Sequence, residues 1–257
     1  MRLAILAIAV LASPGLQAWN CEHERRIETS LDLAGSESLM VRAAAGDLEI
    51  IGSSEGTVAE IEGRVCASKE EWAEQAAVDT RDGKKAEIVV ELPDTEGNWS
   101  LLGGSYAYMD LRLTVPDNLP LEVRDSSGDI EIEGVGEVSV KDSSGDIEIE
   151  DSRGPVFVED SSGDIEFTDI GGDVTVESDS SGDIDGRDIQ GSVLVRHDSS
   201  GDIDFRDVSR DFTVERDSSG EISANRIGGD FVVERDGSGD INALNVKGEV
   251  SIPDDSS

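Results

Sequence analysis

The hexapeptide Asp-Ser-Ser-Gly-Asp-Ile begins at Asp125, Asp142, Asp160, Asp179 and Asp198. It returns altered at Asp217, where Glu221 replaces the second acid, and at Asp236, where Gly237 replaces the first serine. These seven near-evenly spaced copies confine the second half of the chain to repeat architectures. Within each period Val and Ile alternate with polar residues, as in Val174-Thr-Val176 followed by Asp179-Ser-Ser-Gly-Asp183-Ile184 and Ile189. Period-two alternation marks strands. One such coil buries little by itself, so coils must stack. The expected fold is all-β: a parallel, β-helix-like solenoid of about eight short coils with a helix-bearing N-terminal insertion or cap.

The spacing also fixes the corners. The step from the first Asp of the motif to the next valine is shortest in the first coil (Asp125 to Val138). It is one residue longer in later coils, as from Asp142 to Val156. The link from valine to Asp lengthens by one between Val158–Asp160 and Val176–Asp179, which places an inserted residue at one corner. Alternation directs Val138, Val140 and their equivalents through Val250 and Ile252 inward. Three more inward stacks are expected: Ile130 to Ile241, Ile170 to Val246, and Ile132, Ile149, Phe167, Gly186, Phe205, Ala224 and Ala243. In the last, the rings of Phe167 and Phe205 are expected to fill the space above and below Gly186. The motif glycine supplies a positive φ at the corner, and the preceding Asp and Ser bond turn amides.

Earlier in the chain, residues 1–18 have the layout of a signal peptide: Arg2, an apolar run from Leu3 to Ala12, and Leu16-Gln17-Ala18 before a cut at Trp19. That predicts a periplasmic or secreted protein with no transmembrane segment. Cys21 and Cys66 are then expected to pair as a disulfide closing a loop of about 45 residues. Residues 19–38 read as a polar, solvated segment. Val41-Arg42-Ala43-Ala44-Ala45-Gly46-Asp47-Leu48-Glu49-Ile50-Ile51-Gly52 matches Val123 to Gly134 without a gap, which makes 39–118 a degenerate first coil plus a cap region. The cap carries strands at Val58–Cys66, Ile88–Leu92 and Tyr108–Val115. It also carries a helix after Ser68, with Ser68 as N-cap and Trp72, Ala76 and Ala77 as its apolar face. Trp99, Tyr106 and Tyr108 serve cap packing in this reading, with ligand binding as the other use. Residues 119–253 are the regular coils and 254–257 a disordered tail.

Fifty-eight acids against 21 bases give a net charge of −37, which excludes nucleic acid as a partner. Stacking would set Asp125, Asp142, Asp160, Asp179 and Asp198 in one ladder and Asp129, Asp146, Asp164, Asp183 and Asp202 in another. Neighbours about 4.8 Å apart repel by about 1 kcal/mol in water and several times that near protein. Calcium, taken by carboxylate oxygens, is one way to offset this. The other is Asp capping its own turn, with partial neutralisation by Arg124, Lys141, His197, Arg216 and Arg235. No catalytic residue is assigned: the acids are uniform along the axis, whereas catalysis needs one distinct constellation. The two histidines, His23 and His197, are far apart in sequence.

Val-x-Val, then Ser-Ser-Gly-Asp-Ile, then Gly-Gly-Asp-Val, together with the lead-in Leu111-Arg-Leu-Thr-Val-Pro116, resembles the bacterial "putative adhesin" domains over about Leu39 to Ile252. The resemblance implies an exported, non-enzymatic β-solenoid that acts as a binding or structural module of the cell envelope. Its expected partner is an envelope or cell-surface protein or polysaccharide, and no cofactor other than calcium is implied. A calcium-stabilised surface protein and an envelope-stress component are the alternatives, with a carbohydrate-active enzyme behind them.

Overall fold

The computed structural model describes residues 21–95 and 105–253. The signal-peptide segment 1–18, Trp99 and the tail 254–257 lie outside the described residues. The chain enters through β1 (His23–Asp32), β2 (Ser38–Arg42), β3 (Leu48–Ser53) and β4 (Val58–Ala67). A short helix, α1 (Glu70–Gln75), leads to β5 (Ala77–Arg81), β6 (Lys85–Glu91) and β7 (Ala107–Pro116). The regular coils start at β8 (Leu121–Arg124) and β9 (Ile130–Glu133) and continue to Ile241–Leu244 and Val250–Ser251.

Among the described residues two eleven-stranded sheets result. Sheet A runs β1-β4-β7-β3-β9 and onward through the isoleucine strands, and sheet B runs β5-β6-β2-β8 and onward through the valine strands. From β7 and β6 on, every pairing is parallel; β1, β4 and β5 are antiparallel and close the N-terminal end. The fold is thus a parallel β-solenoid. Its core lies between the sheets, where side chains of alternate positions meet. Ile130, Ile147, Ile165, Ile184, Ile203 and Ile222 are each at most 1% exposed, as are Val138, Val156, Val174, Val193 and Phe212. Each contributes about 1.5–3 kcal/mol by leaving water.

The gapless early repeat is real in space. Val41 pairs with Val123, Arg42 with Arg124, Leu48 with Ile130 and Ile50 with Ile132. It is not the terminal coil, however. The later segment β6–β7 stacks outside it, so spatial order departs from chain order. The inserted corner residue is also visible: Val158 pairs with Val176, but Glu159 pairs with Ser178, leaving Glu177 as the bulge.

Three local expectations are corrected. The segment expected to be polar and solvated contains β1, which pairs with β4 over its whole length. Its inward face holds Arg25, Ile27 and Leu31, and the charge on Arg25 hid the alternation. Arg25 is needed there because its guanidinium donates to the carbonyls of Glu74 and Ala76 at the end of α1, satisfying groups a helix terminus leaves open. Ser68 is not the cap of α1. Lys69 occupies that position without a side-chain hydrogen bond, while the Ser68 hydroxyl bridges the amide and carbonyl of Tyr106 at 3.1 and 3.3 Å. The buried face of the helix is Trp72 and Ala73, with Ala76 just beyond it; Ala77 instead begins β5. At the other end, Val250 (45% exposed), Ile252 (48%) and Leu244 (61%) are not covered, since no described strand lies beyond them.

Gly186 sits as expected. Phe167 and Phe205 approach to 6.3 Å between ring centroids across its coil. A Cβ on Gly186 would lie 2.1 Å from Cε1 of Phe205. Gly186→Ile is therefore expected to cost about 3 kcal/mol through overpacking, read as a lower melting temperature; an unchanged melt would place the ring elsewhere.

Candidate functional site

The repeated motif divides its two acids between different environments. Asp125, Asp142, Asp160, Asp179 and Asp198 are buried, between 2 and 7% exposed, and Asp217 continues the column at 2%. Asp129, Asp146, Asp164, Asp183 and Asp202 are exposed. Each member of the exposed ladder uses a carboxylate oxygen to accept the backbone N–H of the next. Asp146 donates to Asp129 at 3.1 Å, Asp164 to Asp146 at 2.9 Å, Asp183 to Asp164 at 2.9 Å and Asp202 to Asp183 at 2.8 Å. These acids staple coil to coil. The Gly-Gly-Asp corner repeats the device, with Asp173 accepting from Ser192 and Asp211 from Asp230.

The structure does not bring the two ladders together as one donor set. Among the described residues no group of three or more His, Cys, Asp or Glu side chains converges as a metal cage would. The expected neutralisation by neighbouring bases is also corrected: Arg124 pairs with Glu122, and Lys141 with Glu159, both on the outer surface. Burial, and then the neighbouring carboxylates, push Asp125 and Asp198 up to about 7 and Asp160 to about 6; Asp142, Asp179 and Asp217 are raised by the same burial.

The outer faces of the two sheets differ. On sheet A the register lines up Glu49, Glu131, Glu148, Glu166, Asp185 and Asp204. Burial and like charge hold the carboxyls of Glu148 and Asp185 above the ordinary range. Arg187 is one relief, 2.5 Å from Glu166 and 3.8 Å from Glu150. On sheet B the corresponding outward row, past Glu122, is Ser139, Phe157, Thr175, Leu194, Thr213 and Val232, and these six carry no charge. Phe157 is 44% exposed and lies in a shallow depression with Glu122, Arg124, Lys141 and Glu159. The charges bordering the row are largely cancelled in pairs: Arg124 with Glu122, Lys141 with Glu159, and Arg196 with both Glu177 and Glu215. A flat, uncharged stripe on a chain of net charge −37 is the surface that loses least on desolvation.

Sequence reasoning missed this stripe because it followed the inward valines. The signal was present in the residue between each valine pair, read across coils. Of the aromatics singled out from the sequence, Tyr106 and Tyr108 pack on each other at 6.2 Å near the capped end, and the Tyr106 hydroxyl accepts from the amide of Glu22. A second depression, around Gly63 between β1, β4 and β7, is occupied by ion pairs of its own, Arg64 with Asp110 and Arg112 with Glu49.

A family model described as Toastrack DUF4097 matches residues 66–252. No curated protein matches the chain. Among solved structures, a "putative adhesin" from Bacteroides fragilis NCTC 9343 has a TM-score of 0.52 at 12% identity, covering 89% of this chain and 96% of that one. A "putative cell adhesion protein" from Clostridium sporogenes ATCC 15579 has a TM-score of 0.34 at 15% identity, covering 90% and 100%. A "putative lipid binding protein" from Parabacteroides distasonis ATCC 8503 has a TM-score of 0.41 at 12% identity, covering 91% and 98%. At such identities the Bacteroides likeness establishes the fold.

Proposed function

Since the chain belongs to the Toastrack DUF4097 family, we propose that it is an adhesin-like, non-enzymatic binding module of the cell envelope, exported by residues 1–18. Its binding face is the uncharged row of sheet B, centred on Phe157. The observation that carries this is the exposure of one large aromatic side chain, 44%, on a row without charge in so acidic a protein. Aromatic anchors surrounded by paired polar groups are the usual energetic centres of interfaces. The name of the Bacteroides structure supports the adhesin-like reading. No helix among the described residues is long and apolar enough to cross a membrane. The partner class is an envelope or cell-surface protein or polysaccharide.

The test is capture from solubilised envelope fractions by immobilised wild type and by Phe157→Ser. Loss of a central aromatic anchor should weaken capture by about 2 kcal/mol, roughly thirtyfold. The melting temperature should stay nearly the same, because the side chain is outside the core. Capture is expected to be equal with calcium and with chelator. Undiminished capture by the variant would remove the sheet B row as the binding face; a chelator-sensitive result would return calcium to the exposed aspartates.

A further inference from the structure

Asp125, Asp142, Asp160, Asp179, Asp198 and Asp217 form a column inside one corner of the solenoid, each at most 7% exposed. No donor reaches either carboxylate oxygen of Asp125, Asp142 or Asp160 with hydrogen-bond geometry. The nearby amides of Ser126, Ser143 and Ser161 offset their burial only in part. Asp179, Asp198 and Asp217 each place one oxygen on the amide of a serine in their own turn, and no N–H reaches the other. The column is held in register by backbone bonds from each Asp amide to the coil above, as from Asp160 to the Ser178 carbonyl and from Asp179 to that of His197. The charged groups that face it are acids: its own neighbours, together with Asp47, Asp129, Asp164 and Asp236. Among the described residues the bases beside it, such as Arg124, Lys141 and Arg196, pair with outer-surface glutamates and not with any of the six.

Carboxylates buried at strand spacing, about 4.8 Å apart, without a base between them cannot all ionise; neighbouring members share protons instead. Asp198 and Asp217, neighbours in the column, each leave the second carboxylate oxygen without a donor, and a proton on one of them would supply it. We propose that the column is a proton-binding element: carboxyl groups of adjacent coils hold protons between them, so the solenoid takes up protons when it folds and is strongest in mildly acidic surroundings.

The sign follows from linkage. Burial raises Asp125 and Asp198 to about 7 and Asp160 to about 6. The unfolded chain releases the same protons near the ordinary value of about 4. Between those limits the folded state binds more protons than the unfolded state, so stability falls as pH rises and levels off above the folded values. Wild type is expected to melt about 5–10 °C lower at pH 8 than at pH 5.

Asp198→Asn and Asp160→Asn both remove the charge, and at position 198 the side-chain oxygen can still accept from the Ser199 amide. Each should melt above wild type at pH 8, match it at pH 5, and flatten the pH dependence; Asp183→Asn, in the exposed ladder, should not. Independently of any variant, infrared difference spectra of the wild type should show a protonated carboxyl band at pH 5 that disappears by pH 8. An Asn variant less stable than wild type at pH 8, or no protonated band at pH 5, would overturn the proposal. So would a rise of wild type to its pH 5 melting temperature on adding calcium at pH 8, which would make the compensating species a metal ion.

Discussion

Gly201→Ala is expected to lower the melting temperature by about 10–15 °C, or to prevent folding, a loss of about 4–5 kcal/mol at the top of the range for one substitution. Two effects coincide at this corner. Gly201 has φ +134°, outside the left-handed region where Asn or Asp is tolerated. A Cβ there would lie 1.7 Å from the carbonyl oxygen of Gly182 in the neighbouring coil, which is backbone and cannot move aside. The same contact recurs down the stack, at 1.8 Å from Gly182 to the Gly163 oxygen and 1.9 Å from Gly163 to the Gly145 oxygen. The corner glycines therefore set how closely the coils stack. Gly35 is the control: its φ is +86°, yet nothing lies within 4 Å of its Cβ position. Gly35→Ala should cost only about 1–2 kcal/mol. Equal losses at the two sites, measured by thermal and denaturant melts, would show that conformation alone and not coil spacing demands glycine.

Removing the Cys21–Cys66 disulfide is the second large effect. The bond joins cysteines at a sequence separation of 45 and ties the start of β1 to β4. In the chain-entropy model such a loop stabilises by about 4 kcal/mol. Cys21→Ser/Cys66→Ser is expected to lose that amount, and wild type in reductant should behave alike. The loss should appear first where the bond acts. β1 is the outer strand of sheet A, paired on one edge only. Its amides should exchange much faster in the variant, while those of the regular coils change little. A melting temperature unchanged in both the variant and the reduced wild type would show that β1 is held by its pairing with β4 alone.

The regular coils were legible because a single rule governs them. Val138, Val156 and Val174 recur with nearly fixed spacing, so register, facing and even the Glu177 bulge follow from counting. Phe167, Gly186 and Phe205 could be placed together because their stack takes one residue from each coil. Where position and residue type disagree, counting fails. Arg25 faces inward on β1, and its charge disguised the strand. Asp160 and Asp164 stand in two ladders that read alike in sequence, although a tight corner between them separates an interior position from an exposed one. A buried acid looks like a solvated one in sequence, because burial is decided by the coil above. The placement of β6 and β7 outside β2 and β3 is topological, and no local pattern records it.

That interleaving bears on the order in which the molecule can assemble. Each regular coil meets the coil next to it in sequence, as in Val138 with Leu121 and Val193 with Val174. The coil of β2 and β3 must wait for strands much farther along the chain: Ser38 meets Lys85, and Leu48 meets Ile130. Closing such distances costs chain entropy before any contact repays it. During synthesis, β2 and β3 emerge early, wait for β6 and β7 as their first partners, and gain their second neighbours only when the chain through β9 has followed. The regular coils can then grow by local winding, whereas the capped end closes as one cooperative, long-range event. One molecule thus joins a quickly zippered half to a slowly locked one, and the disulfide sits on the slow half.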